Sequence, residues 1–189
     1  MKNKLIEFIP KYNPVNVIST LSQVQNWGYE YTNIKKYIDV TKSRGGGVNV
    51  VVLDTGASPN HPDLKDNFKE YEDLTGQGDP FDHLGHGTHC QGIIGACQND
   101  IGVIGIAPGC NLYSGKVLDN NGFSLPDYSW IIKGIEWAIE MKADIINMSL
   151  GSPMGVPDKM QKLISEAAQK GIIFVAASGN SKRQQIDFP

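Results

Sequence analysis

Apolar and polar residues alternate along this chain with a period that changes several times, and each change predicts an element. Residues 48–53, within "GGGVNVVVLDTG", form a mostly apolar run behind a glycine turn, the pattern of a strand buried on both faces, with Asp54 at its carboxyl end. The segment "CNLYSGKVL" (110–118) predicts a second strand. In "LPDYSWIIKGIEWAIEMKA" (125–143), Trp130, Ile131, Gly134, Ile135, Ala138 and Ile139 recur at helical spacing on one face. A strand over 144–151, a helix over 156–171 closed by Gly171, and a strand over 172–180 follow. The stretch between Asp54 and His86 reads as loop, 86–96 as a glycine-interrupted segment, and the first 25 or so residues as an aperiodic extension packing on the body. Strands alternating with helices predict right-handed crossovers and an α/β fold, a mostly parallel sheet with helices on both faces. Chemistry in such sheets collects at the carboxyl ends of the strands, where Asp54, the loop after Ser149, and Asn180 fall.

Composition narrows the function. With 189 residues, 40% of them hydrophobic, the chain can bury one sizeable core. A net charge of −3, with Lys and Arg scattered, lacks the footprint of a nucleic-acid binder. No apolar run approaches the roughly 20 residues that span a bilayer. "MKNKLIEFIPKYNP" carries charges and prolines where a signal peptide has its apolar stretch, so neither membrane insertion nor export is expected. Three cysteines, Cys90, Cys97 and Cys110, are an odd set unsuited to a disulfide framework, and a cytoplasmic location is the expectation.

The chemistry-bearing stretch is "FDHLGHGTHCQG" (81–92), with His83, His86 and His89 beside Cys90. Imidazoles and a thiolate at close spacing are zinc ligands. Here, however, Gly85, Gly87 and Gly92 interrupt the register that would aim the rings at one point, and no His-Glu-x-x-His occurs. His83 and His89 are expected to pack or to face solvent. His86 has different company: Asp54 before Thr-Gly, and Asn180 ending "AASGN", are polar groups at separate strand ends able to converge on it. A thiol nucleophile at Cys90 is disfavoured by its closeness to His86 on one short helix.

These residues resemble the subtilisin-like serine proteases, and within them the intracellular subtilisins. "VVLDTG", "HPDL", "GHGTHCQG", "IGVIGIAPG", "YSWIIKGIEWAI", "INMSLG" and "VAASGN" carry the resemblance in this order over residues 27–180, and Asp54 and His86 stand 32 residues apart, the spacing of that family's Asp and His. The resemblance implies proteolysis by an Asp/His/Ser triad, with Asp54 orienting the imidazole, His86 as general base and then acid, and Asn180 as side-chain donor to the oxyanion. Ser149, Leu150 and Gly151 would edge the cleft and pair with an extended peptide substrate, near Tyr128; Trp130 is expected in the core. Cys90 would be a small buried hydrophobe beneath the histidine. A structural Ca²⁺ site is implied at Asp63 and Asn99 by side chain and at Cys97, Ile101 and Val103 by carbonyl, with Gln23 and Gln25 as candidates for a further ligand. Residues 1–22, containing "LIEFIPKY", resemble an inhibitory extension, and residues 23–189 the N-terminal portion of the catalytic domain.

The pattern breaks in two places. The Gly-Thr-Ser-Met-Ala motif that carries the family's nucleophile does not occur, and Ser149, Ser152 and Ser178 sit at cleft or oxyanion-strand positions. The chain alone is therefore expected to lack turnover, and to need a complementary C-terminal fragment or to self-associate through an uncovered apolar face. The rival expectation is a non-catalytic peptide-binding or regulatory module. Pro126, in "GFSLPDYSW", has no N–H to give and should curtail peptide pairing on its side.

Overall fold

The computed structural model describes the backbone of Ile6–Glu7 and residues 22–152 and 154–180. Strand β1 is Ile6–Glu7; helices α1 (Trp27–Tyr31) and α2 (Ile34–Thr41) precede β2 (Asn49–Asp54) and β3 (Phe68–Asp73). Then come α3 (His86–Gly95), β4 (Asn111–Lys116), β5 (Phe123–Ser124), α4 (Ser129–Glu140), β6 (Ile145–Met148), α5 (Asp158–Gln169) and β7 (Ile173–Ala176). Five strands form one parallel sheet in the order β3-β4-β2-β6-β7, and β1 pairs with β5 separately. The expected α/β architecture is thus present. Among the described residues no helix is long and apolar enough to cross a membrane.

Strand β2 is the centre of the sheet, paired to β4 from Asn49↔Asn111 to Asp54↔Lys116 and to β6 from Val50↔Ile145. Its valines lie inside because both faces are covered. Val51 and Leu53 join Ile146 and Met148 under Ile131, Ile135 and Ala138 of α4 and Met160 of α5, while Val50 packs with Leu112, Ala96 and Leu64 on the α3 side. Burying each such side chain contributes about 1.5–3 kcal/mol, which makes the α4 face the main hydrophobic anchor. The α3 side is less complete. Beyond α3, a groove of about 420 Å³ opens over the sheet between Ile38, Ile94, Val50, Ile145 and Val175.

Several elements depart from the expected pattern. Strand β3, "FKEYED", lies in the stretch read as loop; it is polar because it is an edge strand with four exposed residues in its middle. Helix α1 starts where the Asn26 side chain accepts the Tyr29 N–H at 2.9 Å. Within the segment 86–96, His86–Gly95 is a regular helix despite its glycines. Gly87 is required there, since a Cβ would stand 2.7 Å from the carbonyl oxygen of Gly56, so the glycine lets α3 lie directly against the end of β2.

Candidate active site

The end of β2 and the start of α3 bring Asp54 and His86 together. Asp54 is fully buried, and its Oδ1 lies 2.7 Å from His86 Nδ1 while accepting the Thr55 N–H at 2.8 Å. Oδ2 is buried and has no hydrogen-bond partner. An uncompensated carboxylate oxygen in the core favours a cation next to it. For His86, burial opposes the charged ring, but the hydrogen bond to Asp54 and then Cys90 outweigh it, and the imidazole pKa is pushed up to about 10.

Local sequence fixes this geometry through Asp82, which sequence reasoning missed. Helix α3 begins at His86 without a capping side chain at Gly85. The Asp82 carboxylate takes over: Oδ1 accepts the N–H groups of Leu84 (3.1 Å) and Gly85 (2.7 Å), and Oδ2 accepts Thr88 N–H (2.8 Å) and Thr88 Oγ1 (2.7 Å). Thr55 closes the link, donating its hydroxyl to Asp82 Oδ1 at 2.8 Å and accepting Gly87 N–H at 3.0 Å. The available signal was an aspartate shortly before a helix start, the residue type that satisfies orphan N–H groups and favours the positive end of the helix.

The other predicted residues distribute as follows. His83 bonds Asp79 at 2.7 Å in an exposed pair, and His89 is exposed, so the three histidines do not share one point. Among the described residues, the potential metal ligands that close within 4.8 Å are instead Asp54, His86 and Cys90. Cys90 corrects the expectation of a buried hydrophobe: it is half-buried, its Sγ 4.0 Å from His86 Nδ1, because one helical turn carries both side chains to the same side. Tyr128 is buried, donating its hydroxyl to Met154 O at 3.0 Å, and Trp130 lies in the main core. Leu150 is buried, Gly151 is half-buried, and Ser149 Oγ accepts from Asn147 Nδ2 at 2.9 Å. Asn180 stands exposed past the end of β7. Ser152 is fully buried, its Oγ accepting Met154 N–H at 3.1 Å, and Ser178 is exposed.

A second cluster lies at the loop 97–103. Of the two candidate glutamines, Gln23 reaches it: its Nε2 is 2.6 Å from Cys97 O, 3.3 Å from Asn99 Oδ1, 3.4 Å from Ile101 O and 3.2 Å from Val103 O. Two amide hydrogens cannot serve four acceptors. Asp63 adds to the excess, since Oδ2 accepts Val103 N–H at 2.8 Å but Oδ1 is buried without a partner. Gly102, with φ of +53°, brings the loop so close that a Cβ there would overlap the Asp63 carboxylate. An excess of hard oxygen atoms around an orphan carboxylate oxygen fits Ca²⁺.

The N-terminal extension touches the body at one described place. Ile6 and Glu7 pair antiparallel with Ser124 and Phe123, and this pairing stops before Pro126. The rest of "LIEFIPKY" lies outside the described residues.

Comparison with known proteins places this sequence among relatives. The sequence model of the subtilase family (Peptidase_S8) matches residues 45–189. An "Intracellular serine protease" of Paenibacillus polymyxa is 44% identical over 144 residues, 74% of this chain and 43% of the relative. A "Thermostable alkaline protease" of Halalkalibacterium halodurans is 39% identical over 181 residues, 92% of this chain and 46% of the relative. The "Major intracellular serine protease" of Bacillus subtilis is 38% identical over 156 residues, 77% of this chain and 48% of the relative. The chain spans a little under half the length of these relatives.

Proposed function

The chain belongs to the subtilase family, and from that premise we propose that it is the Asp/His-bearing portion of a serine endopeptidase that cleaves peptide bonds once a serine-bearing segment completes it. The observation that carries this reading is the buried Asp54–His86 pair at 2.7 Å. Asp54 accepts from Nδ1, which fixes the tautomer and leaves the exchange with a serine hydroxyl to Nε2. The imidazole takes that proton as the hydroxyl attacks the peptide carbonyl, Asp54 stabilises the resulting imidazolium, and the proton then passes to the leaving amine. Asn180 is the proposed donor to the oxyanion, and Ser149 to Gly151 the proposed edge along which an extended peptide lies.

The nucleophile comes from outside these residues. The groove over β6 and β7 supports a covering segment, because it is apolar and because Ile173 and Val175 of β7 are exposed (59% and 48%). A C-terminal segment of subtilase length is the proposed occupant. Ca²⁺ is the proposed structural ion, held by Asp63, Asn99, Gln23 and the carbonyls of Cys97, Ile101 and Val103; bound there it ties the segment at Gln23 to the loop after α3. Residues 1–22 are proposed to inhibit by lying along the substrate strand, which the pairing of Ile6–Glu7 with β5 supports. Three free cysteines and relatives named as intracellular favour a reducing compartment.

A fluorophosphonate probe tests the reading on native lysate, with the protein captured by antibody and separated after denaturation. Label on a longer chain carrying this sequence, or on a co-purifying fragment, is the expected result. An abundant protein with no label on any associated polypeptide would overturn it and leave peptide binding without turnover.

A further inference from the structure

One buried charge has no part in the mechanism above. Lys116 ends β4 opposite Asp54 in the sheet register and is fully buried. An ammonium taken from water must use its hydrogens, and Nζ donates to Thr55 O at 2.7 Å, Phe81 O at 2.9 Å and Asn120 Oδ1 at 2.8 Å.

The three acceptors belong to three different loops. Thr55 directly follows Asp54. Phe81 precedes Asp82, the carboxylate that caps the histidine helix, and forms a bridge with Ala57. Asn120 lies in the turn closed by Gly122 N–H to Asp119 O (3.1 Å), just before β5, the strand that accepts the extension. Burial holds the Lys116 ammonium below the usual lysine range, and the charges of Asp82, Asp79, Asp73 and Asp119 offset only part of that cost. An apolar side chain of the same length could fill the space but would leave two backbone carbonyls and an amide oxygen without their donor.

We propose that Lys116 is a positioning residue whose ammonium locks the Asp54 turn, the loop that launches His86 and the peptide-pairing strand β5 into one geometry. This rests on the reading of Asp54 and His86 as the catalytic pair. A single donor group with three acceptors on separate loops has a directional requirement that neither charge nor volume alone reproduces.

Histidine-selective NMR of the 189-residue chain tests it through the His86 Nδ1 proton and the pH titration of the ring, whose titratable neighbours are Asp54 and Cys90. Lys116→Met is expected to retain its circular dichroism but to lose or broaden the hydrogen-bonded Nδ1 proton, and to lower the ring's proton affinity about tenfold, one pKa unit. Deleting a nearby cation by charge alone shifts an imidazole the other way, so the sign separates positioning from electrostatics. Lys116→Arg keeps the charge and is expected to recover part of the signal. Asn120→Ala removes one exposed acceptor, serves if Lys116→Met does not fold, and is expected to give a smaller fall of the same sign. A wild-type proton signal left unchanged, or a ring affinity raised, in the folded variants overturns the role of Lys116 alone. A wild-type chain with no such proton, indistinguishable from Asp54→Asn, overturns the catalytic pair and this inference with it.

Discussion

His86 shows how one hydrogen bond links stability to chemistry. The ring titrates near 6.5 when unperturbed and near 10 in the fold, so the folded chain binds this proton more tightly than the unfolded one. The stability from the pair is therefore fully present below about pH 6.5 and is lost as pH rises through about 10. Thermal melts from pH 6 to 10.5 should show the gap between the protein and Asp54→Asn closing toward high pH; a gap constant across that range would contradict the linkage. The same shift makes the neutral, proton-accepting ring scarce until alkaline pH, so turnover of the completed enzyme is expected to climb on the alkaline side. Gly87 makes a second residue-scale prediction. Gly87→Ala forces a Cβ against Gly56 O and should cost about 1–3 kcal/mol in urea unfolding, by displacing α3 from β2.

At the scale of elements, α3 and α4 are held by different forces. The start of α3 depends on the Asp82 carboxylate and its four hydrogen bonds to Leu84, Gly85 and Thr88. Asp82→Ala is expected to destabilise by about 1–2 kcal/mol, measured by chemical denaturation, and to accelerate amide exchange at Thr88. Helix α4 depends on burial, and Ile135→Ala should cost about 2–5 kcal/mol while leaving the His86 titration in place. Legibility in the sequence follows the same division. The apolar run of β2 and the helical stripe of α4 were readable because burial writes a period into the residues. Strand β3 was not, since "FKEYED" holds its place by backbone pairing with β4 and shows no apolar alternation. Helices α1 and α2 were also missed, lying in a segment where little is buried besides Tyr29 and Ile38.

For the whole molecule, stability is expected to depend on an ion and on a covering segment. Ca²⁺ at one hundred times its dissociation constant should stabilise by about 2.7 kcal/mol, read as a chelator-reversible rise in melting temperature that Asp63→Asn abolishes. No calcium-dependent rise in the intact protein would remove the site. Deleting residues 1–20 is expected to expose β5 and raise peptide binding or turnover; equal binding before and after deletion would sink the inhibitory role. Occupation of the groove beside Val175 by a serine-bearing segment should suppress aggregation as it restores activity, which light scattering during complementation reads directly.

Strands β2, β4, β6 and β7, helices α4 and α5, and the core face of α4 were determined by the sequence alone, because burial periodicity is a local property of the chain; Asp54 and His86 stood out by their motifs and spacing, and the loop 97–103 by its family resemblance. Tertiary structure decided which of the clustered polar residues meet. It set His83 on Asp79 and His86 on Asp54, brought Gln23 rather than Gln25 to the loop 97–103, and gave Asp82 and Lys116 their hydrogen bonds around the site. The pairings of His86 with Asp54, of Gln23 with Cys97 and of Lys116 with Thr55 join segments far apart in sequence, and hydrogen-bond direction at such distances depends on the path of the whole sheet, which no local pattern encodes.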